Sequence, residues 1–103
     1  NGLHTVPALE QYALIPEHFS LVAAYPNPFN PSTTINIGLK ESVKVELYMY
    51  DLAGKQVDVL VDSVLDEGYH QVVWNANQYS SGIYFVKMVA GEYVNTMKLM
   101  LLK

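Results

Sequence analysis

From Thr33 to the C-terminus the chain contains no proline, and apolar residues recur at every second position. Period two is the repeat of a strand with one face buried and one face wet, and it is incompatible with the 3.6-residue stripe of a helix. In residues 33–39, Ile35, Ile37 and Leu39 share a face. In residues 43–50, Val43, Val45, Leu47 and Met49 point one way and Lys44, Glu46, Tyr48 and Tyr50 the other. Asp51-Leu52-Ala53-Gly54 predicts a turn with Gly54 at positive φ, and Val57, Val59 and Val61 continue the alternation beyond it. Gly68 opens a strand that places His70, Val72 and Trp74 on one face, and a polar loop over 75–81 follows. Gly82 opens the next strand, with Tyr84, Val86, Met88 and Ala90 inward and Lys87 marking the outer parity. Gly91-Glu92 predicts a tight hairpin into a last strand from Tyr93 to Lys103. Counting residues 19–25 as the first strand, about seven short strands result. With no long helical connection to make them parallel, they predict an all-β, immunoglobulin-like antiparallel β-sandwich.

The five prolines all lie at or before Pro31, and three of them fall within Pro26-Asn27-Pro28-Phe29-Asn30-Pro31. Each removes a ladder donor and pushes the preceding residue away from α geometry, so this stretch can join no central sheet. It predicts a stiff, extended bend between the first two strands, with Asn27 and Asn30 accepting nearby backbone N–H groups in Asx-type turns. Phe29, its one large apolar group, is expected to point inward and close the end of the sandwich. A rigid crossover is one sufficient account of the stretch; a fixed backbone shape that another protein reads is the other.

At 103 residues the chain is one domain, and a single core has to supply nearly all its stability. Half of its residues are hydrophobic and 16% are charged, a globular composition. The net charge is −4, with six lysines, no arginine and no basic run, which argues against nucleic-acid binding. No cysteine is present, which removes disulfides, zinc–thiolate sites and thiol nucleophiles together. The longest fully apolar run, Leu99 to Leu102, is far short of the ~20 residues of a membrane-spanning helix. The first residues lack a charged n-region and a cleavage site, and there is no initiating methionine, as expected of a piece of a longer protein that keeps its natural C-terminus.

No catalytic or metal constellation emerges. His4, His18 and His70 stand at no ligand spacing, and His70 reads as a satisfied histidine at the core edge. Asp62, Asp66 and Glu67 are too irregular for a calcium loop, and there is no phosphate loop, nucleophile elbow or Ser-His-Asp set. A non-enzymatic domain without cofactors is the expectation. The last strand is unusual, because Met97, Leu99 and Leu101 take the core parity while Met100 and Leu102 opposite are apolar too. Such a strand is either covered on both sides or presents a binding edge.

Five blocks, YPNPFNPSTTI at 25–35, YDLAGKQV at 50–57, GYHQVVW at 68–74, SGIYF at 81–85, and Lys98 with Leu101-Leu102-Lys103, occur in this order. Together they are similar to the type A C-terminal sorting domains of the type IX secretion system, over about Phe19 to Lys103. Residues 15–21, IPEHFSL, also resemble that family's lead-in. The resemblance implies an immunoglobulin-like sandwich at the end of a large secreted protein of Bacteroidota. The division expected is 1–18 as linker or lead-in from an upstream cargo domain and 19–103 as the sorting domain, a monomer. The implied partners are the outer-membrane translocon and a sortase-type protease that commonly removes the domain. The cargo then passes through the periplasm and outer membrane to be secreted or held at the cell surface. Matching the family signature by position are Pro26, Asn27 and Pro28, Gly82 and Tyr84, and Lys98, Leu101, Leu102 and Lys103; where the family often has arginine, this chain has Met97. Related sandwiches occur in flagellar hook-capping proteins, so fold alone does not assign the function. A structural or carbohydrate-binding accessory sandwich of a secreted cell-surface enzyme is the alternative, with Tyr48 and Tyr50 as its candidate aromatic platform.

Overall fold

A computed structural model describes residues 15–103. His4 and most of the expected lead-in over 1–18 lie outside the described residues. Seven strands follow in chain order: β1 (Ser20–Tyr25), β2 (Ser32–Leu39), β3 (Val43–Asp51), β4 (Gln56–Leu65), β5 (Gly68–Asn75), β6 (Gly82–Ala90) and β7 (Tyr93–Leu101). They form two antiparallel sheets, ordered β1-β2-β5 and β4-β3-β6-β7. The fourth strand pairs with β3 rather than β5, which moves it to the opposite sheet from the arrangement of immunoglobulin constant domains.

The alternation read from the sequence is what places the core. Ile35, Ile37 and Leu39 of β2, Val45, Leu47 and Met49 of β3, Tyr84, Val86, Met88 and Ala90 of β6, and Leu99 and Leu101 of β7 are all buried between the sheets. Trp74 enters from β5 and Phe29 from the proline stretch, both fully enclosed. Val43 and Met97 pack at the margin of the same cluster. The turn after β3 forms as expected: Gly54 has φ +88°, its N–H donates to the Asp51 carbonyl, and Asp51 Oδ1 accepts from the amides of Ala53 and Lys55. A two-residue hairpin at Gly91-Glu92 joins β6 to β7.

β4 departs from simple alternation. The register against β3 shifts twice, so that Leu47 faces Val61, Tyr48 faces Val59, Met49 faces Asp58 and Tyr50 faces Gln56. Each shift inserts an extra residue into β4, the signature of a β-bulge. Val61 therefore keeps the core side, Val59 turns outward at 47% exposure, and Asp58 comes level with a core residue. The expectation that Val57, Val59 and Val61 run on evenly fails here because a bulge resets the parity of everything beyond it.

Chain ends and sheet ends fall into two groups. β2 starts, β5 and β7 finish, and β6 begins at one end of the sandwich; there Ser32 pairs with Asn75 and Gly82 with Leu101. At the other end Leu39 pairs with Gly68 and Val43 with Leu65, and the incoming Pro16 lies close to Gly38. Strands of eight or nine residues separate these two ends by roughly 25 Å.

Candidate functional site

The proline stretch is built onto the end of the sandwich where β7 finishes. Thr33 Oγ1 donates to the Pro26 carbonyl at 2.7 Å, and the amide of Ala76 donates to the Pro31 carbonyl at 2.8 Å, which ties both halves of the stretch to the β2–β5 sheet. Between these anchors it reaches across to the opposite sheet. Asn27 Nδ2 donates to the Lys98 carbonyl at 3.1 Å, and Asn27 Oδ1 accepts from the Met100 amide at 3.0 Å. Phe29 then donates its own amide to the Met100 carbonyl at 2.9 Å and accepts from the Leu102 amide at 3.0 Å, forming a parallel bridge to β7.

The expected local Asx turn is therefore replaced at Asn27 by a pairing 73 residues away. A primary amide carries one donor and one acceptor on the same side, so it can stand in for the backbone of a neighbouring strand. β7 is an edge strand, and an edge leaves a row of unpaired N–H and C=O groups. Asn27 and Phe29 satisfy that row from Lys98 to Leu102. The last strand thus presents no open backbone edge over its final residues; what it presents there is side chains.

Beneath the stretch, Phe29 lies 5.6 Å from the Trp74 ring, and Trp74 in turn meets Tyr79 at 5.5 Å and Tyr84 edge-on at 5.4 Å. Each polar tip finds a partner. Trp74 Nε1 donates to Asp58 Oδ2 at 3.0 Å, the Tyr79 hydroxyl to the Val57 carbonyl, and the Tyr84 hydroxyl to the Ser80 carbonyl at 2.6 Å. The last is the tyrosine corner of immunoglobulin-like sandwiches, a tyrosine at the start of a strand bonded back to the preceding loop. The β4 bulges bring Asp58 to Trp74, and this partner, like Tyr79, was not foreseen from sequence. Polar residues in an apparent loop and an outward-reading aspartate gave no signal of either role.

The positions matching the family signature converge on this end. Pro26, Asn27 and Pro28 are exposed alongside exposed Lys98 and Leu102. Gly82 pairs with Leu101, and Tyr84 pairs with Leu99. The Lys103 amide donates to Ser81 Oγ at 3.0 Å, and Lys103 Nζ donates to the Asn77 carbonyl. Gly82 has φ +153°, while the position a Cβ would take is open, so the backbone conformation and not space selects glycine there. Leu101 and Tyr84 are buried and serve packing, so a partner touching the folded domain meets the others.

Elsewhere the surface offers less. His70 Nε2 donates to the Asp66 carbonyl at 2.7 Å, the satisfied core-edge arrangement. Among the described residues no group of three or more His, Asp or Glu side chains could hold a metal ion. Tyr48 and Tyr50 are half-buried, with Val59, Lys87, Gln56 and Phe85 as their cross-strand neighbours. Partial burial, with Asp62 and Glu46 nearby, raises the Tyr48 phenol above its ordinary value.

A family model described as the secretion system C-terminal sorting domain matches residues 23–102. The match starts within β1 and spans the proline stretch, the aromatic cluster and β7. No curated protein matches the chain.

Proposed function

Since the chain belongs to the secretion system C-terminal sorting domain family, the type IX sorting domains, we propose that the end of the sandwich built from the proline stretch and β7 is the surface its translocon reads. The domain acts as a non-catalytic address. It directs an upstream cargo domain through the periplasm and across the outer membrane to the cell surface or medium, and a sortase-type protease separates the two within or before residues 1–18. Residues 19–103 are the sorting unit, working as a monomer. Pro26, Asn27, Pro28, Lys98, Leu102 and Lys103 supply the contacts, while Gly82, Tyr84 and Leu101 hold the surface in shape.

One observation carries this reading. Asn27 hydrogen-bonds to Lys98 and Met100, so signature segments lying 71–73 residues apart are joined into a single exposed unit. The position of the incoming chain supports it: Pro16 lies at the opposite end, so the chain joins the sandwich away from the proline–β7 end.

The test is fractionation of a reporter fused upstream of residues 1–103, in hosts with and without the type IX machinery. Surface delivery should require both. The double variant Lys98→Ala, Leu102→Ser changes two exposed residues and should alter stability by about 1 kcal/mol or less, yet leave the reporter in the periplasm. Delivery that needs neither domain nor machinery would discard the sorting function and leave a structural or carbohydrate-binding accessory sandwich.

A further inference from the structure

Charge is sharply segregated along the sandwich. The row Leu47, Val61 and Met88 divides the β4-β3-β6-β7 sheet across its middle. On the proline–β7 side of that row lie Lys55, Lys87, Lys98 and Lys103 with only Asp51 and Asp58. Both of those carboxylates are engaged internally, Asp51 by the amides of its own turn and Asp58 by the Trp74 indole. On the side where the chain comes in lie Lys40 and Lys44 with Glu17, Glu41, Glu46, Asp62, Asp66, Glu67 and Glu92. Among the described residues the ion pairs are those of Lys44 with Glu46 and Asp62, both on this acidic side. A chain of net charge −4 thus carries its surplus cations at one end.

The cationic end also exposes large apolar side chains. Leu52, at 67% exposure, and Leu102, at 52%, stand on it. Met100 and Ile83 sit opposite each other on the outer face of the sheet between them. The turn at 51–53 and the segment 80–84 flank a depression of about 290 Å³. Asn27 and Phe29 meanwhile close the backbone edge of β7 from Lys98 to Leu102, which removes strand addition as the mode of docking there.

We propose that this end, including Lys55, Leu52, Ile83 and Met100 beside the signature residues, docks onto a folded protein surface. That surface has a projection carrying both apolar and hydrogen-bonding groups for the depression, and a rim of carboxylates for the lysines. The inference rests on the sorting function above and names the chemistry of the partner that function requires. Opposite charges at the rim favour encounter and orientation, while desolvated apolar contacts at the centre hold the complex. The carboxylates at the far end are repelled by the same acidic rim, so the domain approaches with the proline–β7 end leading. A protein is the occupant rather than a lipid surface, because the depression is lined by Asp51, Ser80 and Ser81 as well as Leu52 and Ile83, and a bilayer interior offers those polar groups no hydrogen-bonding partners.

Two pairs of substitutions remove equal charge from the two ends of the reporter fusion, Lys98→Gln with Lys103→Gln and Lys40→Gln with Lys44→Gln. The first should lower surface delivery roughly tenfold and the second should leave it unchanged, both melting close to the parent once about 0.15 M salt screens the charges. Lys55→Gln serves as an independent variant in case losing the Lys103 contact to Asn77 unfolds the chain end. Normal delivery by the first pair, or an equal loss in both, would overturn the inference while the sorting function stands. A parent fusion that is not delivered would sink the sorting function and this inference with it. Flotation of the 103-residue chain on phosphatidylcholine vesicles with and without phosphatidylglycerol distinguishes the other source of anions. Charge-dependent flotation lost in the first pair would assign the surface to lipid and overturn a protein partner.

Discussion

The carboxamide of Asn27 imitates a strand residue, donating to the carbonyl of Lys98 and accepting from the amide of Met100. Both bonds lie at the surface, where water can replace them, so Asn27→Ala should cost only about 1 kcal/mol by urea unfolding. Its sharper effect should be local: amide exchange at Met100 should accelerate, and unchanged exchange would mean that Asn27 does not guard the edge. Trp74 is the opposite case, enclosed among Phe29, Tyr79 and Tyr84 with its N–H on Asp58. Trp74→Ala should cost about 3–5 kcal/mol, a large part of the stability of a domain this size, and a melt within a few degrees of the parent would contradict the packing. Tyr48 bears on pH. Its phenol is raised by partial burial and by the nearby Asp62 and Glu46, so the unfolded chain loses this proton first. Its effect is nil below the ordinary value of 10.0, and stability falls as pH rises through it. Tyr48→Phe should remove that alkaline loss in thermal melts, and an unchanged alkaline slope would assign it to other groups.

Among the elements β4 is the least regular and β7 the most exposed to consequence. The two bulges of β4 turn Val59 outward beside Tyr48 and keep Val61 toward Leu47. Val59→Thr should fall within about 0.5 kcal/mol of the parent, whereas Val61→Thr, placing a hydroxyl against the core, should cost about 1–3 kcal/mol. Equal effects in denaturant titration would show that the strand runs without bulges. β7 has two different sides in the sheet plane. One edge pairs along its length with β6, and the other is covered over its final residues by Asn27 and Phe29. The proline stretch that no ladder can absorb is thereby the element that shields the end of the last one.

For the molecule as a whole, charge placement matters more than its total. Seven carboxylates and two lysines share the end where the chain comes in, and they repel one another. Raising salt to about 0.15 M shortens the screening length to about 8 Å, so the melting temperature should rise from its low-salt value. Glu67→Lys should raise it further at low salt and little at high salt. A melting temperature that falls on adding salt would show that net attraction, not repulsion, governs that end. The same polarity separates the end where the chain comes in from the proposed docking face.

Strand number, the inward faces of β2, β3, β6 and β7, the turn at Gly54 and the inward Phe29 were all legible in the amino-acid sequence. Alternation is a property of each strand by itself, because successive side chains point to opposite faces whatever lies alongside. The family was legible for a related reason, since its five blocks stand in order along the chain. Tertiary structure alone decided the bulges of β4, the bond from Trp74 to Asp58, the shift of Asn27 from a local turn to Met100, and the gathering of four of the six lysines at one end. Each depends on which strands come to lie side by side, and at what register; the two side-chain bonds span 16 to 73 residues. A side chain with two hydrogen-bonding atoms does not encode its partner; the packing of the two sheets brings that partner within hydrogen-bonding distance.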